Sequence, residues 1–233
     1  MEHEYSILYG PVNAIARQLG LGFEIPDHVV MALLVLLLST ALFGLASRSF
    51  SKESPGGFQH FLEFIVGGLK GLLEEVVGHG ASNKFLNIIG AFAVFIFVSN
   101  IFGLFFFLQP PTGNPNTTFA LSISAFIYFN VQGIRKHGVI HYLKSFCGPL
   151  WWLAPLMFPI EMIGNFARVL SLGMRLFGNI FGEHTATGIF MGMLPFVIPW
   201  PMMGLGIFGA TLQAFVFIMM TMVYIGGAVA EEH

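Results

Sequence analysis

Apolar residues gather in long runs separated by short polar or proline-rich breaks, and the runs set the expected architecture. The first, Val29 to Ala46, reads "VVMALLVLLLSTALFGLA". It approaches the roughly 20 residues a helix needs to cross a hydrocarbon core. Pro26 and Asp27 precede it as a helix start, and Arg48 and Lys52 follow it. The stretch "FQHFLEFIVGGLKGLLEEVVGHG" (58–80) differs in period. Phe58, Phe61, Leu62, Ile65, Leu69, Leu72, Leu73 and Val76 fall on one helical face, and His60, Glu63, Lys70 and Glu74 on the other. Such a helix lies along a membrane surface rather than through it.

Residues 85–131 predict a helical hairpin. Phe85 to Leu108 is one apolar arm, "QPPTGNP" (109–115) breaks it with three prolines and a glycine, and Thr118 to Val131 begins the return. From Leu150 to about Phe190 the chain is apolar for longer than one upright span at 1.5 Å per residue, which implies two pieces or one strongly tilted helix. Pro195, Pro199 and Pro201 mark the next turn, and Met202 to Ala230 forms the last span before "EEH". The pattern predicts an all-α polytopic membrane protein, a single integral membrane domain over 1–233 with five to six membrane-embedded helices. Its parts are an external N-terminal segment (1–28), a first span (29–46), an amphipathic interfacial helix (58–80), a hairpin (85–131) and a long tilted helix pair (149–230).

Composition agrees. The 233 residues are 55% hydrophobic and 9% charged, where soluble domains carry about 25% charged residues. The ten Lys and Arg are dispersed and the net charge is −2, so nucleic acid is not an expected partner. The single Cys147 excludes an internal disulfide and reads as an inert thiol. The N-terminus is acidic and has no apolar core of a cleaved signal peptide, so it is expected to stay in the mature chain. Arg48, Lys52, Lys70, Lys84, Arg135, Lys136 and Lys144 fall in two loops that alternate to one side. The positive-inside rule makes that side cytoplasmic, with the N-terminus and the "QPPTGNP" turn outside and "EEH" inside.

Candidate chemistry sits inside the long run, in "VLSLGMRLFGNIFGEHTATGIF" (169–190). Glu161, Asn165, Arg168, Leu172, Arg175, Asn179 and Glu183 are spaced 4, 3, 4, 3, 4 and 4, so they share one helix face. Arg168, near the helix end, also fits a snorkelling or helix-pairing role beside Glu161. Arg175 sits mid-stripe, where a charge costs at least about 2.5 kcal/mol on insertion scales. Guanidinium does not deprotonate, so Arg175 can hold a fixed charge but cannot relay a proton. Glu183 and His184 both can titrate and hand protons along a wet path.

"SLGMRLFGN" closely resembles the segment around the essential arginine of subunit a in the F-type ATP synthase membrane sector. "VSNIFGLFFFLQPPTGNPNTT", "TLQAFVFIMMTMVYI" and the terminal "EEH" resemble the same family in the same order. The resemblance implies a proton-translocating stator subunit beside a rotating ring of c subunits, with two offset half-channels and a peripheral stalk of b-type subunits meeting the 58–80 helix. It assigns Arg175 to face the ring carboxylates. Asn179, Glu183 and His184 are to line the outer half-channel, Glu161 to lie toward the cytoplasmic one, and Gln213 to approach Arg175 from the last helix. Arg168 matches a basic family position. It further implies H+ as the transported ion, a bacterial inner-membrane location and no cofactor or metal. Some bacterial members carry an acid where His184 stands and a histidine where Gly206 stands. The adjacent Glu183–His184 pair is closer to the chloroplast and cyanobacterial arrangement, so His184 is expected to take over part of the relay. No Walker-type glycine loop is present, so nucleotide chemistry is expected in partner subunits. The alternative reading is a self-contained ion channel or carrier, which the absence of internal repeats disfavours, and a third is a structural scaffold, which the central arginine disfavours.

Overall fold

The computed structural model describes residues 9–18, 24–48, 50, 56–104, 108–140, 142, 154–193 and 199–229. Cys147, Lys52, Lys144 and the terminal "EEH" fall outside them. Among the described residues the chain is all-helical, with seven α-helices and no strand. They are α1 (Tyr9–Gln18), α2 (Asp27–Arg48), α3 (Gly57–Val76), α4 (Ala81–Phe102), α5 (Pro115–His137), α6 (Ala154–Met193) and α7 (Pro199–Val229), with a 3-10 turn at Pro111–Gly113 between α4 and α5.

Local chemistry explains where the elements stop. α3 ends at Val76, before Gly78 and Gly80, whose φ values of +114° and +83° only glycine adopts readily. α4 therefore starts at Ala81, ahead of the Phe85 that hydropathy alone suggests. Asn114 caps α5 by accepting the Asn116 N–H at 2.9 Å, with Pro115 at the first helical position. α5 runs past Val131 to His137 because Gln132 and Gly133 are still buried, and Gly138 at φ +81° then ends it.

Four helices, α2, α4, α5 and α7, are long and apolar enough to cross a membrane. α6 is the longest at 40 residues, and the polar stripe keeps it below the hydropathy of the other four. Pro159 lies in its second turn, where it removes the N–H that would bond the carbonyl of residue 155. The core joins Leu73 of α3, Ile89 and Ile96 of α4, Leu176 of α6, and Phe217, Met222 and Ile225 of α7, all with no exposed surface. α2 leans on α4 through Met31, Val35 and Phe102. Leu34 packs beside them, while Leu33, Leu36, Leu37 and Leu45 face outward. That inversion suits a lipid surround and would be an aggregation hazard in water.

Contacts fix the helix registers. Asn100 Nδ2 donates to the Ala210 carbonyl at 3.5 Å and the Phe92 and Phe217 rings lie 5.7 Å apart, so α4 and α7 are antiparallel. A Cβ on Gly173 would stand 2.9 Å from Phe119 and 3.0 Å from Ser122 Oγ, so α5 and α6 meet with no room for a side chain there. The buried polar residues Thr118, Ser122 and Gln132 line the same face of α5.

Candidate functional site

The stripe on α6 follows the seam between α6 and α7 and ends in a cavity at each extremity. At one end Arg168 holds three neighbours: Glu161 Oε1 at 3.5 Å, Asn165 Oδ1 at 3.0 Å, and the Tyr224 ring of α7 at 5.5 Å from its centroid. Glu161, Asn165, Arg168 and Tyr224 line a cavity of about 90 Å3 together with Phe129 and Tyr142. Tyr142 is drawn in from beyond α5: its hydroxyl donates to Asn130 Oδ1 at 2.9 Å, and its ring lies so close on Gly133 that a Cβ there would collide with it.

At the other end Glu183, half-buried, packs into space left by glycines of α7. A Cβ on Gly206 would overlap Glu183 Oε1, and one on Gly209 would make ordinary contact with Glu183 Oε2 at 3.8 Å and Asn179 Nδ2 at 3.7 Å. His184 points to α4 instead, its Nε2 2.9 Å from where a Gly103 Cβ would lie. The adjacent pair thus divides between two helices, as the 100° step of a helix requires. Both residues line a cavity of about 1110 Å3.

Arg175 lies between the two cavities and is exposed. Among the described residues it has no hydrogen bond or ion pair, whereas Arg168 and Arg17 are each matched to a glutamate. The pairing of Asn179 with Gly209, Glu183 with Gly206 and Arg168 with Tyr224 sets an antiparallel register, which brings Arg175 level with residues 213–216 of α7. Gln213 is there, 6% exposed, with its Nε2 buried and unbonded. No residue among those described could gather a metal ion by a cluster of three or more His, Cys, Asp or Glu ligands.

The family model for the ATP synthase A chain matches residues 28–226. The chain belongs to that family. It is 44% identical over 205 residues to ATP synthase subunit a of Geotalea uraniireducens (strain Rf4), covering 88% of this chain and 86% of that one. It is 45% identical to the subunit a of Trichlorobacter lovleyi over 89% of both chains, and 39% identical to that of Geobacter sp. (strain M21) over the full length of both. The ATP synthase A chain family makes this protein an integral membrane subunit of the membrane sector of ATP synthase, working in a complex with the other synthase subunits.

Sequence reasoning missed several residues that the fold brings to these cavities. Glu24, Asp27 and His28 line the larger one beside Glu183 and His184, and Tyr142 walls the smaller. Asp27 and His28 end the first span on the side where topology also puts Glu183, a signal that was available. Asn100 of α4 accepts from Thr112 Oγ1 of the hairpin turn at 2.8 Å, both essentially without exposure. Neither stands out in sequence, because an asparagine near a span end and a threonine in a turn are ordinary.

Proposed function

We propose that this subunit is the proton-translocating stator of the synthase, offering two half-channels and holding Arg175 against the carboxylates of a rotating c-ring. The observation that carries the reading is the position of an exposed, unpaired guanidinium between two cavities at opposite ends of one polar seam. An isolated charge at membrane depth is expensive, so a cation with no partner among the described residues calls for an acidic partner from another subunit.

In this reading the cavity at Glu183 and His184 is the outer half-channel, with Asn179 on its wall, and the cavity at Glu161 is the cytoplasmic one. A proton from the outer path neutralises a ring carboxylate, which can then pass into lipid, since only the neutral acid tolerates hydrocarbon. A carboxylate arriving from the other side discharges into the cytoplasmic path. Arg175 attracts the ionised carboxylate and repels a proton passing directly between the paths, and it does so at every pH because it does not titrate. Gln213, at the same level, is the neighbour that orients it. Arg168 acts in the wall of the cytoplasmic path, where Glu161, Asn165 and Tyr224 hold it. The drive is about 2.3 kcal/mol per charge per 100 mV.

The charge bias of the loops supports an N-terminus outside and a C-terminus in the cytoplasm of a bacterial inner membrane. α3, with Phe58, Phe61 and Phe64 exposed on one side, suits an interfacial helix that meets the b-type peripheral stalk. The deciding experiment replaces Arg175 with Ala in the intact complex and follows proton-driven ATP synthesis and passive proton leak in vesicles. Synthesis is expected to vanish and leak to rise. Unchanged synthesis would overturn the reading.

A further inference from the structure

α6 and α7 supply most of the lining of the cavity of about 90 Å3, but Tyr142 reaches it from beyond the end of α5. Its backbone N–H donates to the Gly138 carbonyl at 3.0 Å, which turns the chain back on itself after α5. The ring then lies on bare backbone at Gly133, where an added Cβ would collide with Cε2 and stand 3.0 Å from Cζ. The hydroxyl at the far end of the ring donates to Asn130 Oδ1 at 2.9 Å. Tyr142 is thus fixed along its whole length, from main chain to phenol oxygen.

The direction of that last hydrogen bond is set by α5 itself. Asn130 Nδ2 donates to the Phe126 carbonyl one turn back at 2.8 Å. A carbonyl can only accept, so the amide nitrogen must lie on the helix side, and the amide oxygen is the end offered to Tyr142. Tyr142 must therefore be the donor. A phenol carries one O–H and two lone pairs, and with its hydrogen given to Asn130 the oxygen can only accept from whatever else it meets. Burial pushes the Tyr142 phenol above its ordinary range, Arg168 acts against that and Glu161 adds to it. The phenol accordingly stays protonated at neutral pH and keeps this polarity.

The same small space is lined by Glu161, Asn165 and Arg168 of α6. It accommodates about three waters at about 30 Å3 each, and such waters need two to four polar partners. Arg168 is a donor that cannot accept, and an ionised Glu161 is an acceptor that cannot donate. A water among these groups can take a hydrogen bond from Arg168 and give its two hydrogens to Glu161 and Tyr142. Without an acceptor at Tyr142, one of the two hydrogens loses its place and the water is free to turn.

We infer that Tyr142, its hydrogen committed to Asn130, is a positioning residue of the cytoplasmic path: it orients the water through which Glu161 exchanges its proton. Asn130 acts one step further back, by fixing which way the phenol points. The inference rests on the proton-path reading above, and the test separates the two.

Synthase complexes carrying Tyr142→Phe, Asn130→Ala or both are reconstituted into liposomes, and ATP synthesis driven by an imposed proton gradient is measured in H2O and in D2O. Phenylalanine keeps the ring on Gly133, so the yield of assembled Tyr142→Phe complex is expected to match the unmodified one. Synthesis per assembled complex is expected to fall about two- to tenfold in either single variant, the factor that one neutral hydrogen bond supplies. The double variant is expected to be no slower than the slower single, because both changes break one chain of hydrogen bonds. The ratio of the rates in H2O and D2O is expected to rise in all three, since the slowed step is the movement of a proton; a packing defect lowers the rate and leaves that ratio where it was. Unchanged synthesis by Tyr142→Phe, losses that multiply in the double variant, or a loss with the unmodified isotope ratio would overturn the inference. If Tyr142→Phe does not assemble, Asn130→Ala, which leaves the tyrosine ring in place, carries the same rate and isotope measurements. Arg175→Ala run alongside is expected to lose synthesis altogether, and normal synthesis by that variant would instead sink the proton-path reading itself.

Discussion

Gly206→Ala isolates the fit between Glu183 and α7. The added Cβ would overlap Glu183 Oε1, and it would come within 2.6 Å of Leu104 Cδ2 and 3.1 Å of Glu183 Cδ. To reach normal separation both side chains must withdraw by about 1 Å. They are flexible ends rather than backbone, so the helices need not part. Overpacking of this kind costs about 1–3 kcal/mol. Replacing glycine by alanine within a helix returns about 1 kcal/mol. The net loss, at most about 2 kcal/mol, leaves the subunit foldable. Function should suffer more than stability, because a displacement of about 1 Å in a positioned group can cost about 100-fold. Proton-driven ATP synthesis by inverted vesicles, normalised to assembled subunit, is expected to fall at least about tenfold. Gly209→Ala is the matched control: on the same seam its Cβ makes ordinary contact at 3.7 Å and 3.8 Å, so synthesis should stay within about twofold of the unmodified chain. If the two variants synthesise ATP at the same rate, the seating of Glu183 against α7 does not matter to the path.

Other substitutions test other joints. Thr112→Val removes the hydroxyl bonded to Asn100 Oδ1 at 2.8 Å and leaves a buried acceptor unpaired, so thermal stability in detergent should drop by about 1–3 kcal/mol. Gly133→Ala would strike the Tyr142 ring and approach the Ala228 carbonyl to 3.0 Å, and should lower the yield of assembled subunit on immunoblots more than Gly67→Ala, which meets nothing within 4 Å. Glu161→Gln breaks a half-exposed pair at 3.5 Å worth no more than about 1 kcal/mol. Its melting temperature should hardly move while proton-driven synthesis slows, and a large loss of stability with normal synthesis would give Glu161 a structural role instead.

How legible this molecule is from sequence depends on whether the signal is local. α2, α4 and α7 can be read from run length, since one property, apolarity over about 20 residues, decides them. The stripe could be read because helical periodicity carries it, and α6 is one helix across all seven positions. Periodicity does not say what a face meets. It puts Leu172, Arg175 and Asn179 on one line, yet Leu172 is 4% exposed and belongs to the core cluster, while Arg175 and Asn179 are exposed. Gly206 could be noted only as a difference from the histidine that the family resemblance implies for some bacterial members. That the space over Gly206 receives the Glu183 carboxylate requires the antiparallel register, which no single helix encodes. The N-terminal segment was the least legible: Asn13 bonds to the Ile25 backbone, and Asp27 and His28 meet Glu183 only across more than 150 residues of chain.

The length of α6 has a geometric consequence. Forty residues make a rod of about 60 Å, twice the roughly 30 Å of hydrocarbon it must occupy. A rod of that length stays within the layer only if it slopes, by about 60° from the normal. On such an incline the roughly 33 Å from Glu161 to Glu183 runs about 29 Å sideways and about 16 Å in depth. The two cavities then differ in compass bearing more than in height. In the reading proposed above, a ring turning past them would meet one before the other, and mirroring the slope would exchange the order. Handedness of rotation, a property of the whole machine, would then be written in which way a single helix leans.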